Sequence, residues 1–385
     1  MPQIFKDDPS TNKVNLGIGT YRDDNGKVAV FDVIRKAEKM VVEDITIDKE
    51  YLPIDGDQGF IKTAQQSLFG FNNPEANHPR IASFQTLSGS GALRTAADFL
   101  SKYRSAPIYI SDPTWENHLR IFNEAGLLIR RYRYIDPKTR LIDMPAFLAD
   151  LRAMTAGSCV LFQTCGHNPT GVDPSLEQWK QIIMICKERG LFPIFDNTYQ
   201  GFASGDHEED AKGPREFLRQ GCEFIVAQSF AKNLGLYGER VGATHIICNT
   251  HDAAKRVLSV IKVIVRASYS SPPKHGSKIA ALVLGKEDLR HEWYKDLKGV
   301  ADRMSRMRVL LRDRLHEIGT PGNWDFITKQ SGFFAFLGLS ERQCETMVKK
   351  HHVHMQLNSR ISLTGMQASN VDYVAKAIKD VVENY

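Results

Sequence analysis

Lys232 stands in Ser229-Phe230-Ala231-Lys232-Asn233, directly after a short apolar run, and Arg240 follows in Tyr237-Gly238-Glu239-Arg240-Val241-Gly242. A lysine at a strand end can condense with an aldehyde, and an arginine fork nearby can pair with a phosphate dianion. In isolation such a lysine reads as a solvated surface charge, by roughly ten to one. Asp196 ends another apolar run, in Asp196-Asn197-Thr198-Tyr199-Gln200-Gly201-Phe202. A carboxylate there is poorly solvated and calls for a cationic partner; the competing reading is a helix N-cap. Ser88-Gly89-Ser90-Gly91-Ala92-Leu93-Arg94 is a small-residue turn opening a helical pattern, which presents free backbone N–H groups to an anion. Many helices begin this way, so the motif alone is weak. Gly166-His167-Asn168-Pro169-Thr170-Gly171 alone says only that the chain turns.

Taken together and in this order, the motifs resemble the aspartate aminotransferase family (class I, fold type I). The resemblance runs from Phe5-Lys6-Asp7-Asp8-Pro9 to Gly365. It implies that Lys232 carries pyridoxal 5′-phosphate as a Schiff base. It also implies that Asp196 faces the cofactor's ring nitrogen, and that Tyr199 and Asn168 hydrogen-bond its phenolic oxygen. Trp115, in Asp112-Pro113-Thr114-Trp115-Glu116-Asn117, matches the aromatic residue that stacks on the ring. Ser88, Gly89, Ser90, Ser229 and Arg240 match the phosphate cup. Arg360, in Asn358-Ser359-Arg360-Ile361-Ser362, matches the arginine that takes the substrate α-carboxylate in bidentate fashion. Arg266 matches the arginine for the side-chain carboxylate, and Tyr51 a cofactor contact. The family supplies both of these from the other subunit of a homodimer. Gly19, in Asn15-Leu16-Gly17-Ile18-Gly19-Thr20-Tyr21, matches a mobile segment that closes over substrate. Lys232, Asp196 and Tyr199 form the expected catalytic set.

The implied reaction is reversible, ping-pong amino transfer between L-aspartate and 2-oxoglutarate, giving oxaloacetate and L-glutamate. Three departures bear on it. Gln163 stands where the family usually has His, near the stacking ring. Ser90 and Ser271 replace the Thr and Asn commonest in strict aspartate enzymes, and related aromatic aminotransferases often carry Ser at both places. The alternative reading is therefore an aromatic or broad-specificity aminotransferase. A non-catalytic protein that binds the cofactor is a further alternative, opposed by the joint presence of Lys232, Asp196, Tyr199, Arg240, Arg266 and Arg360. The resemblance also implies a short N-terminal arm, about a dozen residues less than in the family, with fewer contacts to the partner subunit.

These residues need strands to position them. Short apolar runs at Ile108–Ser111, Val160–Gln163, Pro193–Asp196, Phe224–Gln228 and Thr244–Cys248 read as strands buried on both faces. The segment Leu176–Gly190 between them has helical spacing and a glycine stop. This alternation predicts an α/β fold with a mostly parallel sheet between helices; the resemblance makes it the seven-stranded type of the large domain. A long helix over Asp302–Ile318, an apolar segment Gly332–Leu339 and a last helix Val371–Asn384 read as a smaller α/β lobe. The expected division is a large domain over 29–299 and a small domain from 1–28 plus 300–385.

Composition narrows the class. The 385 residues suit a large domain with a companion. The 50 basic and 45 acidic residues are interspersed, leaving a net charge of +5, which gives no reason to expect a nucleic-acid partner. No apolar stretch approaches the ~20 residues of a membrane span. The six cysteines form no CxxC pair, so neither a metal site nor a disulfide framework is expected. Reduced thiols, and a start without signal- or transit-peptide character, predict a cytoplasmic location.

Overall fold

A computed structural model of the chain describes residues 2–23 and 26–385. Met1, Asp24 and Asn25, which belong to the expected 1–28 segment, lie outside the described residues. The strands in chain order are β1 (Val14–Asn15), β2 (Ile81–Leu87), β3 (Ile108–Asp112), β4 (Ile129–Arg133), β5 (Cys159–Gln163), β6 (Phe192–Asn197), β7 (Phe224–Ser229), β8 (Val241–Ile247), β9 (Phe334–Phe336), β10 (Val353–His354) and β11 (Arg360–Ser362). Seven of them form one sheet in the order β2-β8-β7-β6-β5-β3-β4. All run parallel except β8, which is antiparallel to both β2 and β7. This is the fold type I architecture expected from the sequence.

The central strands are buried along their length because helices cover both faces. Side chains alternate across the sheet with a period of two. Val160 and Phe162 of β5 therefore pack on one face with Phe195, Trp179 and Phe217. Cys159 and Leu161 pack on the other with Ile194, Leu93, Ala97 and Leu100. Trp179 belongs to the helix Leu176–Arg189, which begins at a Ser175–Gln178 capping box and ends at left-handed Gly190 (φ 61°). β4, with sequence IRRYR, escapes an apolar-run reading because it is an edge strand. Arg131 pairs with Asp112 and Arg133 with Asp150, and such charge blunts edge-to-edge association.

The largest correction to the expected elements lies in the long helix. It spans Glu287–Glu317, 31 residues, rather than beginning at Asp302. Its first turns are heavily charged, yet Leu289, Trp293, Leu297, Val300 and Met304 recur at helical spacing and are buried. The expected boundary at 299–300 thus falls inside one continuous helix. Beyond it, β1 pairs with β10 in parallel and β9 pairs with β11 in antiparallel fashion, and the last helix is Val371–Asn384. One apolar core runs from Val14 and Leu16 through Trp293 and Leu311 to Val381. Among the described residues no helix is long and apolar enough to cross a membrane.

Gly242, on β8, lies where three backbones meet. A Cβ there would sit 2.7 Å from Gln228 O and from Cα and C of Ser88. Gly242→Ala must push β8 away from β7 or displace Ser88, at a cost of about 1–3 kcal/mol. At Gly238 a Cβ meets nothing within 4 Å, so Gly238→Ala serves as control. Denaturant midpoints should fall for the first and hold for the second; equal midpoints would refute this packing account.

Candidate active site

The parallel strands deliver their C-terminal ends to one edge of the sheet, the usual place for a site in such folds. β2 ends at Leu87, β5 at Gln163, β6 at Asn197 and β7 at Ser229. The reversal of β8 brings its first residue to the same edge, with Val241 opposite Leu87 and Gly242 opposite Ser229. Arg240 therefore arrives beside Ser88 and Ser229, although it precedes its strand rather than following it. Gly19 from the N-terminal segment and Phe334, Gln356 and Arg360 from the C-terminal lobe complete the wall. Together they enclose a cavity of about 220 Å³.

Ser88, Gly89, Ser90, Trp115, Asn168, Asp196, Tyr199, Ser229, Lys232, Arg240, Gly19 and Arg360 all line this cavity. Tyr51 and Arg266 do not. Tyr51 is 85% exposed, and Arg266 is exposed at the end of the helix His251–Ser268, where its Nη1 donates to Ser270 Oγ. The sequence does not single out Thr198, Phe334 or Gln356, which also line the cavity, nor His118 behind Asp196. His118 carries no signal of its own, since its partner is 78 residues away in the chain.

The helix Ser88–Tyr103 begins without a side-chain cap at Leu87, so its first N–H groups are free to meet an anion. Ser88 Oγ and Ser229 Oγ lie 3.0 Å apart at that end. Gly89 packs so closely that a Cβ would sit 3.0 Å from Ser229 Cβ. Asp196 is buried, accepting from Thr198 Oγ1 at 2.6 Å and from His118 Nε2 at 3.0 Å. Because a carboxylate only accepts, the Nε2 proton of His118 points to Asp196, and Nδ1 lies 2.8 Å from the Thr114 hydroxyl.

Three basic side chains, Lys232, Arg240 and Arg360, share the cavity. Lys232 keeps part of its surface exposed, yet burial, reinforced by Arg240, holds its amine below the ordinary value. Nearby Asp196 opposes that shift, and Arg360 adds to it. Arg360 is buried, and burial lowers it to about 10. Its Nη1 donates to Asn168 Oδ1 at 3.0 Å and its Nη2 to Gly17 O at 2.7 Å, while its plane lies 4.2 Å from the Phe334 ring centroid. Its Nε is buried without a partner, and no carboxylate among the described residues pairs with it. A bare helix start, a nucleophilic amine, a buried carboxylate and an unneutralised guanidinium can together hold a phosphorylated aromatic aldehyde beside a carboxylate-bearing ligand.

Fold and cavity thus define a fold type I enzyme with an amine at the centre of its site. The profile of the family described as aminotransferase class I and II matches residues 11–378. The chain is 47% identical over 379 residues to a chloroplastic aspartate aminotransferase 3 of Arabidopsis thaliana, covering 98% of this chain and 84% of that protein. A structure of aspartate aminotransferase from Saccharomyces cerevisiae cytoplasm superposes with a TM-score of 0.97 at 39% identity, over 100% of this chain and 95% of that one. An aromatic-amino-acid aminotransferase from Burkholderia pseudomallei, covalently bound to pyridoxal phosphate, gives 0.95 at 38% identity, over 99% and 95%. The chain belongs to the class I and II aminotransferase family.

The lowered Lys232 predicts a pH signature in the cofactor-free protein. Between the lowered folded value and the ordinary 10.5, the unfolded chain carries the extra proton. Stability therefore rises with pH across that window. Lys232→Met should be the more stable at the acidic side, with its advantage over wild type shrinking as pH climbs. Urea unfolding of both proteins across the window checks this, and a constant difference would contradict the assignment.

Proposed function

We propose that the chain is an aspartate aminotransferase, carrying amino groups reversibly between L-aspartate and 2-oxoglutarate to give oxaloacetate and L-glutamate. The observation that carries this reading is the pairing, in one cavity, of a lysine whose amine is held below its ordinary value with a buried arginine that has no anionic partner among the described residues. Pyridoxal 5′-phosphate, when bound, supplies an aldehyde that captures amino groups and a ring that withdraws electrons from the substrate Cα. The helix start at Ser88–Ser90, with Ser229 and Arg240, binds the phosphate. Asp196, oriented by His118 and Thr198, holds a proton at the ring nitrogen. Tyr199 and Asn168 donate to the phenolic oxygen, and Trp115 covers the ring. Arg360 binds the substrate α-carboxylate, and Gly19 closes over it. Lys232, as a neutral amine, takes the proton from Cα and returns it at C4′.

Arg266 and Tyr51 enter this scheme from a second copy of the chain. Val263, 67% exposed, stands one helical turn before Arg266, and Ile45 and Tyr51 are almost fully exposed. Lys262–Asp55 and Lys274–Asp48 ion pairs hold these two segments side by side. Exposed apolar side chains on adjoining segments fit an interface, and a two-fold dimer makes each site a composite. The segments 1–28 and 300–385 then form the small domain that carries Arg360 and Gly19 against the large one. The six thiols, free among the described residues, and the yeast cytoplasmic relative support a cytoplasmic location, which cell fractionation tests.

Ser90 at the cavity wall and the likeness to an aromatic-amino-acid enzyme favour activity on aromatic amino acids as a second reading. Turnover of aspartate, phenylalanine and tyrosine with one keto acceptor separates the two; a preference for the aromatic substrates would replace the first with the second.

Lys232→Ala should lose transfer by many orders of magnitude while retaining phosphate contacts to the cofactor; near-normal turnover of aspartate would sink the central assignment. Arg266→Ala should lose roughly two to four decades on aspartate and glutamate, through a carboxylate left without its cation, and far less on uncharged amino acids. A uniform loss would make Arg266 structural. Mixing Lys232→Ala with Arg266→Ala and allowing subunit exchange should restore about a quarter of the sites, since half the dimers are hybrid and each hybrid has one intact site. Verified hybrids that show only the parental average would confine each site to one chain.

A further inference from the structure

Gln163, the last residue of β5, lies opposite Asp196 in the sheet register and is buried at the cavity wall. Its side chain is spent on the backbone of a single residue. Nε2 donates to Asn168 O at 2.9 Å, and Asn168 N donates to Oε1 at 2.8 Å. The pair of bonds copies a strand contact and holds Asn168 by both its N–H and its C=O, in two successive peptide units. The pinned residue then presents Oδ1 to Arg360 Nη1 at 3.0 Å. A chain of contacts runs from the sheet end through Gln163 and Asn168 to the guanidinium that has no anionic partner among the described residues.

Building on the function proposed above, we propose that Gln163 is a positioning residue for carboxylate binding: its amide clamps Asn168, and Asn168 holds Arg360 in the orientation that receives the substrate's α-carboxylate. The clamp needs one donor and one acceptor side by side, which a primary amide provides at every pH. A carboxylate offers two acceptors, one of which would face Asn168 O. An imidazole offers a donor and an acceptor that diverge, and protonation turns both into donors. The ionisable groups around the clamp are Asp196, Lys232, Tyr199, Arg240 and Arg360 on the cavity wall, His118 on Asp196, and His167 and Asp173 at the turn itself. A neutral clamp leaves the balance among them undisturbed. The turn also has an independent support, because Asp173 accepts from Gly166 N at 2.7 Å and His167 N at 3.0 Å. Variants at Gln163 should therefore fold.

The test uses the holoenzyme and succinate, a dicarboxylate without an amino group. Gln163→Leu should weaken succinate binding about tenfold or more and raise KM for aspartate by a similar factor. Its kcat should change less, and its melting temperature little. Gln163→Glu provides rescue. A protonated carboxyl carries a donor and an acceptor as the amide does, so its succinate affinity relative to wild type should be near one at acidic pH. That ratio should fall as pH rises, whereas the Gln163→Leu ratio stays flat. Wild-type affinity in both variants at every pH would overturn the positioning role alone. A wild-type holoenzyme that takes up no succinate would overturn the functional reading and the positioning role with it.

Discussion

The site depends on weakening the hold of one base on its proton while another stays a cation within the same buried space. Burial disfavours every charge, but an amine and a guanidinium begin from different ordinary values, so the same environment moves the amine closer to its neutral form than the guanidinium. Lys232 is driven down by burial and by the positive charge of Arg240. Arg360, driven down by the same cause to about 10, remains a cation at neutral pH. Its charge is spread over a planar group that can lie on Phe334 and donate to Asn168 and Gly17 at once. Exchanging the two residue types would leave the cavity with a fixed positive nucleophile and a weak anion trap.

The architecture follows from where those two groups must stand. Parallel strands bring their C-terminal ends to one edge, but a fully parallel sheet would place Arg240 at the opposite edge from Lys232. Reversing β8 lets the chain leave β7, carry Lys232 across the cavity mouth and re-enter the sheet beside Ser88 and Ser229. The close approach this requires is visible at Gly242, whose missing side chain lets the backbones of Gln228 and Ser88 come near. Arg360, by contrast, comes from β11 in the other lobe. Its bond to Asn168 Oδ1 is a contact between residues 192 positions apart.

Legibility in the sequence tracked burial and locality. β5, β6 and β7 are buried along nearly their whole length, so their apolar runs announce them. β4 does not, because an edge strand carries arginines, and the first half of the helix Glu287–Glu317 does not, because charge masks its stripe. The motifs around Lys232, Asp196 and Ser88 were readable since each is contiguous and ends an element. Gln356 and Phe334 were not, since only the packing of the second lobe brings them to the wall. His118 lay beside a recognised tryptophan without any mark of its bond to Asp196. Gln163 was visible as a departure, yet its clamp on Asn168 is a matter of geometry that no residue pattern carries.

On the proposed reading, the two carboxylate clamps are built to different standards, and that difference bears on specificity. Arg360 is buried among neutral acceptors with Nε unpartnered, so a ligand without an α-carboxylate leaves a desolvated charge uncompensated. That requirement is common to every amino acid. Arg266 is exposed on its own chain and reaches a site only when a second copy presents it. An exposed arginine can turn toward solvent when the substrate side chain is apolar, and its desolvation cost is then avoided. A rigid buried clamp beside a movable one admits all α-amino acids and rewards the acidic ones. Aspartate and aromatic activities can therefore arise on one scaffold without any change in the arginines themselves.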